Sequence, residues 1–211
     1  MFDDLNGVAV TIFHDERLME PDWPAAGATG CGEGVWHWIE QNHFYNTSLW
    51  HEEDKARRTD VAPAEIARSK RLIDAYNQKR NDAVESMDEC ILAALSRVTR
   101  PLPGARLHSE TAGSMIDRLS ILSLKIHHMR LQTQRKDVDR GHIDTCAAKL
   151  KRLIEQRSDL RSCLDSLLSE ALRGQAYFKV YRQFKMYNDP SLNPYLYGTR
   201  PGSGMTSLEA G

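Results

Sequence analysis

Polar and charged side chains share a predicted helix face with large apolar ones between residues 35 and 58. At about 100° per residue, one narrow face of this helix carries Trp36, Ile39, His43, Asn46, Trp50, Glu53 and Arg57. The tryptophans and the isoleucine mark the face as buried, and an unpaired charge there costs on the order of several kcal/mol. The segment therefore predicts an internal polar site between helices.

A second predicted helix, over 63–97, shows the same mixture of residues. Its inward stripe combines apolar residues with the polar residues Lys70, Asn77, Asn81 and Asp88. Pro63 suits the first turn of this helix, where its missing N–H is not needed. We expect these polar side chains to face those of the preceding helix.

The helix predicted over 112–136 is apolar on two flanks, which is typical of a central helix. Arg118 and Lys125 fall in the middle of its predicted buried arc. Ser120 and Ser123 fall on the strip predicted to face water. Ser109 or Thr111 is expected to cap the start of the helix.

The remaining segments complete an all-α prediction. We expect a short helix within residues 3–19, a loop over 20–33, and an amphipathic helix over 142–173. Together these patterns predict an antiparallel bundle of four main long helices with a short N-terminal helix and an irregular C-terminal tail. Residues 1–188 are expected to form one domain and residues 189–211 a mobile tail rich in proline and glycine.

Composition excludes several classes of protein. The chain has 28 basic and 29 acidic residues, so it has no general attraction to nucleic acid. No apolar run approaches the roughly 20 residues that span a membrane. The four cysteines form no C-x-x-C pair, and the N-terminus has no basic and apolar leader. We therefore expect a cytoplasmic protein with free thiols.

The inward polar residues form one candidate site. Glu53, Asp54 and Asp88 are the candidate catalytic residues, as a base or as ligands of a possible magnesium ion. The candidate ligand-binding residues are Asn46, Trp50, Arg57, Lys70, Asn77, Arg80, Asn81, Asp117, Arg118 and Lys125. Cations with amides suit a phosphate or carboxylate ligand.

Two other interpretations use the same residues. The first is a structural network of ion pairs, with Glu53 paired to Arg57 and Asp88 matched to Arg118 or Lys125. The second is a magnesium-dependent nucleotide hydrolase, in which Glu85 and Asp88 at E-x-x-D spacing would meet the acidic run 52–54.

Four blocks of this sequence resemble a bacterial family of unknown function, number 4254 in the domain-of-unknown-function series. The blocks are Asn46–Arg57, Ile66–Asp88, Glu110–Met129 and Tyr181–Pro194. The resemblance covers most of residues 35–194 and implies a cytosolic helical protein. Genes of such families tend to lie among glycosyltransferase and surface-polysaccharide genes. The resemblance supplies no established activity and no residue roles.

The leading hypothesis is therefore a protein of surface-glycan assembly that binds a phosphorylated or nucleotide-activated sugar, as an enzyme or an accessory. The competing hypothesis is a non-enzymatic partner of a glycosyltransferase, in which the polar network is purely structural. An open pocket with unpaired cations would favour the first hypothesis. An exposed apolar patch over a fully paired interior would favour the second.

Overall fold

The computed structural model describes residues 2, 4–25, 27–28, 34–182 and 189–197, and these residues confirm the all-α fold. The helices are α1 (Gly7–Met19), α2 (Val35–Ala56), α3 (Pro63–Val98), α4 (Ala112–Thr133), α5 (Arg140–Leu172) and α6 (Pro194–Tyr197). The first five lie close to their predicted positions, and α6 is a single turn. Between α1 and α2, part of the predicted loop falls outside the described residues.

Local chemistry explains where the helices begin and end. Asn6, Thr111 and Asp139 precede α1, α4 and α5, and each side chain accepts a hydrogen bond from the N–H three residues further on. Such caps satisfy donors that have no partner within the helix. Pro63 occupies the first position of α3. Gly174 follows α5 with a φ of 71°, a left-handed conformation that glycine adopts without strain.

Helix α4 is the centre of the bundle, as its two apolar flanks predict. It packs against α1, α2, α3 and α5. The core between these helices contains side chains with no solvent exposure, among them Val10, Ile39, Met87, Ile91, Leu119 and Leu164. Each of the five long helices contributes at least one of them.

Two strands of two residues each, β1 (Arg106–Leu107) and β2 (Ala176–Tyr177), pair in parallel at one end of the bundle. The backbone N–H of Leu102 also donates to Gly174 O, at 2.9 Å. These bonds tie the connection between α3 and α4 to the end of α5. Strands this short have no alternating pattern, so the sequence did not predict them.

The chain divides by its internal contacts into two units, Met1–Val180 and Tyr181–Gly211. The predicted boundary near residue 188 and the mobility of the tail stay predictions, because residues 183–188 and 198–211 lie outside the described residues. Within the described part of the chain, every helix is too short or too polar to cross a bilayer.

Gly113 marks a close approach of α4 to α3. A Cβ at this position would lie 2.7 Å from Val84 O and 2.9 Å from Asp88 Oδ1. Because a backbone atom is involved, the helices must separate to admit a methyl group. We expect Gly113→Ala to lower the free energy of unfolding by about 1–3 kcal/mol in urea titrations. Gly141→Ala near the exposed start of α5 is the control, because a Cβ there would meet only the flexible Asp139 side chain, at 3.0 Å. An equal loss in both variants would contradict the prediction.

Candidate functional site

An open pocket of about 440 Å³ lies where α2, α3 and α4 meet, and we call it the amide pocket. Its walls are Asn46, Leu49, Trp50, Glu53, Asp54, Arg57, Asn77, Arg80, Ile121 and Leu124. Seven of these ten are residues that the sequence predicted for a site. The helical spacing on α2 and α3 therefore brings these seven candidates to the wall of one concavity.

Two side chains of the amide pocket have unused hydrogen-bonding capacity. Asn77 makes no side-chain hydrogen bond to any described residue. The Nε of Arg80 is buried and has no hydrogen-bond partner among the described residues. Asp117 Oδ1 lies 4.0 Å from this Nε, and Arg80 Nη2 donates to Asn81 Oδ1 at 3.1 Å. The Nε therefore faces Asp117 inside the bundle, and the Nη1, which makes no hydrogen bond to a described residue, is the donor left for a ligand.

The floor of the amide pocket is a paired network. Asn46 Nδ2 donates to Asp117 Oδ1 at 2.8 Å and to Ser120 Oγ at 3.0 Å. Asn42 Nδ2 also donates to Asp117 Oδ1, at 2.8 Å, and Ser120 Oγ lies 2.8 Å from His43 Nδ1. These groups satisfy one another and join α2 to α4. For Asn46 and Asp117, the structural interpretation is therefore the better one.

A second pocket, of about 560 Å³, lies between α2, α4 and α5, and we call it the cationic pocket. Its walls are Trp50, Asp54, Lys125, His128, Met129, Gln132, Lys149, Arg152, Leu153 and Gln156. It shares Trp50 and Asp54 with the amide pocket. The two pockets therefore adjoin, and we call the pair the groove.

Positive charge dominates the cationic pocket. Lys125, Lys149 and Arg152 are exposed, and within the described chain none of them has a carboxylate within 4.0 Å. Asp54 is the one carboxylate in the lining, and it lies 3.9 Å from Arg57 on its own helix. The three cations can therefore turn toward an anion without breaking an ion pair.

An aromatic stack forms part of the wall of the cationic pocket. The rings of Trp50 and His128 are parallel within 2°, with centroids 4.4 Å apart. Burial, reinforced by the charges of His127 and His51, lowers the pKa of His128. The His128 ring is therefore neutral at pH 7, and the pair adds an uncharged aromatic part to the wall beside the lysines.

The sequence did not single out His128, Lys149 or Arg152. Lys149, Arg152, Leu153 and Gln156 follow the spacing of one helix face. That signal is weak, because charged residues beside an apolar stripe are common on any exposed helix. That these residues line a pocket becomes visible only when α5 is placed against α2 and α4.

Arg57 lies on the exposed side of the amide pocket and Lys70 does not line it, which corrects the prediction that both point inward. Their side chains are 67% and 58% exposed. Arg57 pairs with Glu53 at 3.1 Å, as predicted, and Lys70 lies 4.0 Å from the same carboxylate. Both occur near the ends of their helices, where a long side chain reaches water easily.

The predicted buried face of α4 was wrong. Arg118 and Lys125 are exposed, whereas Ser120 and Ser123 are fully buried. The serine hydroxyls form hydrogen bonds inside the bundle. For example, Arg157 Nη1 donates to Ser123 Oγ at 3.1 Å. Small hydroxyl side chains allow close packing, and long cationic ones do not.

Arg118 also lies apart from the groove. Its Nη1 pairs with Glu110 Oε1 at 2.6 Å, and both residues line a third pocket, of about 710 Å³, between α4 and α5. Lys125 lines both this third pocket and the cationic pocket. The predicted pairing of Asp88 with Arg118 or Lys125 is therefore wrong.

Asp88 does not share a site with Glu53 and Asp54. Glu53 lies beside Lys70, and Asp88 follows 18 residues later on α3, about 27 Å along the helix. The predicted magnesium site between Asp88 and the acidic run 52–54 therefore does not form. Among the described residues, no three histidine, cysteine or acidic side chains meet in a metal-binding group.

Asp88 instead accepts a hydrogen bond from the Gly113 N–H, at 2.6 Å, at the start of α4. Its side chain is buried, and burial raises its pKa to about 6, although hydrogen bonds from Thr111 and Gly113 act in the opposite direction. In the unfolded chain the same carboxyl titrates near pH 4. As the pH rises from about 4 to 6, the unfolded state therefore loses this proton first.

This titration predicts that Asp88 stabilises the fold most below pH 4 and that this contribution falls by about 3 kcal/mol by pH 7. Asp88→Asn keeps an acceptor for Gly113 and removes the titration. We expect the variant to gain stability relative to the wild type between pH 4 and 7. Urea titrations at both pH values measure the difference, and parallel pH profiles for the two proteins would contradict the prediction.

Comparison with known proteins identifies the family of the chain. No curated protein and no solved structure matches it. A family model described as "Protein of unknown function (DUF4254)" matches residues 36–180. This match contains α2 to α5 except for Val35, includes every residue of the groove, and agrees with the resemblance in the sequence. The chain belongs to the DUF4254 family.

Proposed function

We propose that the chain binds a phosphorylated or nucleotide-activated sugar in the groove and acts in surface-glycan biosynthesis. The observation that carries the proposal is the cationic pocket. Lys125, Lys149 and Arg152 surround it without carboxylate partners among the described residues. Phosphate oxygens are among the ligands that such groups bind strongly.

The size and surface of the groove support the same proposal. Pockets of about 300–1,000 Å³ with an apolar lining and a few polar groups are typical of small-molecule sites. Met129 and Leu153 supply apolar surface, and Asn77 and Arg80 supply hydrogen-bond donors. A ligand with both a charged and a polar uncharged part uses all of these groups.

Glu53 and Asp54 are the carboxylates that line the groove, whereas Asp117 in its floor already accepts from Asn42 and Asn46. If the bound ligand reacts, these two side chains are the candidates for a general base or for holding a magnesium ion beside the phosphate. Asp88 has no part in this proposal, because it lies far along α3.

The biological setting in the proposal comes from the resemblance to a family whose genes accompany glycosyltransferase genes. The proposed location is the cytoplasm. The free thiols of Cys90, Cys146 and Cys163 support it, because such thiols persist in reducing compartments.

A thermal-shift screen tests the proposal. The probes are inorganic phosphate, sugar 1-phosphates, nucleoside diphosphates and nucleotide sugars, each with and without magnesium. A ligand at about 100 times its Kd stabilises the fold by about 2.7 kcal/mol, a clear rise in Tm. We expect this rise in the wild type and in the control Lys151→Met, but a smaller one in Arg152→Met. A wild type that responds to no probe, or an Arg152→Met protein that responds fully, would contradict the proposal.

A second candidate function, partner of a glycosyltransferase, is favoured by an apolar stripe on α1. Val8, Ile12 and Met19 are 43%, 52% and 76% exposed. Exposed apolar patches often mark protein contacts. Co-purification with a glycosyltransferase encoded near the gene, lost in Ile12→Glu while ligand binding persists, is the expected result. A wild type that co-purifies with no such enzyme would count against this function.

A further inference from the structure

We propose that the ligand is a nucleoside diphosphate sugar and that the two pockets divide it between them. This inference rests on the function proposed above and chooses between the two ligand classes named there. The cationic pocket takes the nucleoside diphosphate, and the amide pocket takes the sugar. Four properties of the groove lead to this assignment: its charge, its aromatic wall, its free hydrogen-bonding groups and its continuity.

The charges of the two pockets differ. Three cations face one carboxylate in the cationic pocket. In the amide pocket, Arg57 and Arg80 face Glu53 and Asp54, and Asp117 in the floor lies 4.0 Å from Arg80, so cations are not in excess. A diphosphate is stabilised where cations are in excess, and an uncharged sugar needs no such excess. The charge distribution therefore fixes which end of the ligand enters which pocket.

The wall of the cationic pocket favours a nucleotide over a simple sugar phosphate. Trp50 and His128 present stacked rings, and Met129 and Leu153 add apolar surface. Trp50 and His128 cover one face of each other, so a nucleobase would stack on an outer face of the pair, as bases of any sequence do on aromatic side chains. A sugar phosphate has no flat apolar group to place there, so it would leave this wall in contact with water.

The amide pocket has the hydrogen-bonding groups that a sugar requires. A sugar hydroxyl both donates and accepts, so it needs partners of both kinds. Asn77 and the Nη1 of Arg80 make no side-chain hydrogen bond to a described residue, and the Glu53 and Asp54 carboxylates are acceptors. Because the amide of Asn46 is used in the floor, Asn77 is the amide available to the sugar.

The two pockets are close enough for one molecule. Trp50 and Asp54 line both of them, so a ligand that crosses from one to the other stays within the groove. Volumes of about 560 and 440 Å³ lie in the range of small-molecule sites. One molecule therefore extends from the cationic pocket into the amide pocket along the wall that these two residues share.

Isothermal titration calorimetry tests this division with three probes: a nucleoside diphosphate, the matching nucleoside diphosphate sugar and the sugar 1-phosphate, all with magnesium. In the wild type we expect the nucleotide sugar to bind at least about ten-fold more tightly than either part, because one further good hydrogen-bonded contact is worth about that factor. In Asn77→Leu we expect this advantage over the diphosphate to disappear while diphosphate binding is unchanged. Gln78→Leu removes the neighbouring exposed amide, which bonds to Asp82 outside the groove, and is the matched control.

The outcomes separate this inference from the proposed function. Three results would show that the division between the pockets is wrong although the groove binds anions. The nucleotide sugar could bind no more tightly than the diphosphate, or the sugar 1-phosphate could bind as tightly as the nucleotide sugar. The third result is that Asn77→Leu weakens diphosphate binding as much as it weakens nucleotide-sugar binding. If none of the three probes binds the wild type, the proposed function itself is wrong. Because Asn77 has no partner to lose, its variant is expected to keep the wild-type Tm, which confirms that it is folded.

Discussion

Replacing Lys149 and Arg152 together with glutamate is expected to weaken binding of a nucleoside diphosphate sugar by more than about 100-fold. A hydrogen bond to a charged group contributes about 1.5–3 kcal/mol, so the loss of two such bonds exceeds about 3 kcal/mol. The new carboxylates also repel the phosphates. The fold is expected to survive, because both side chains are exposed and make no ion pair with a described residue.

Equilibrium dialysis with a labelled nucleotide sugar measures this loss. The matched control replaces Arg140 and Lys151, two exposed cations of the same helix outside the groove, with glutamate. This control changes the net charge by the same amount, so it should weaken only the long-range attraction between the protein and the anionic ligand. Equal losses in the two double variants would mean that the net charge, and not the cationic pocket, binds the ligand.

Replacing Asn46 with leucine is expected to lower the free energy of unfolding by about 2–4 kcal/mol. The change removes the hydrogen bonds to Asp117 and Ser120, and one of these acceptors is a carboxylate. Leucine has a similar size, so it fills the space, but Asp117 Oδ1 and Ser120 Oγ each lose one hydrogen-bond donor. Chemical denaturation at pH 7 measures the effect.

Asn77→Leu is the control for this experiment, because the two asparagines line the same pocket on facing helices. Asn77 has no hydrogen bond to a described side chain, and its variant should therefore unfold at the same denaturant concentration as the wild type. The two variants should therefore differ: Asn46→Leu loses stability, and Asn77→Leu loses ligand affinity. If both lose stability to the same extent, the distinction between a structural floor and a free pocket wall is wrong.

Helical periodicity was sufficient to predict the bundle. The apolar stripes, together with Pro63, Thr111 and Gly174, located the long helices within a few residues of their observed ends. The same spacing brought Asn46, Trp50 and the residues of α3 into one pocket. These are local properties of single helices, and local spacing fixes which residues share a face.

The relation between helices could not be predicted in the same way. The sequence placed Arg118 and Lys125 inside α4 and its serines outside, because serine resembles a surface residue when its partners are unknown. His43, Asn46 and Arg157 supply those partners from other helices.

For the same reason the pattern on α3 gave no sign that Asp88 lies beside Gly113 of α4, far from the acidic run 52–54. Nor could it show that Lys149 and Arg152 of α5 face Trp50 of α2. Contacts between residues that are distant in the sequence determine where Asp88, Lys149 and Arg152 lie.

Calorimetric titration of a nucleoside diphosphate sugar into the wild-type chain at low and high salt tests the central claim most directly. The groove predicts one saturable site per chain, with an affinity that falls as salt screens the exposed lysines and arginine. The absence of saturable heat at millimolar ligand, or an affinity that does not change with salt, would contradict the claim that this cationic groove binds a phosphorylated ligand.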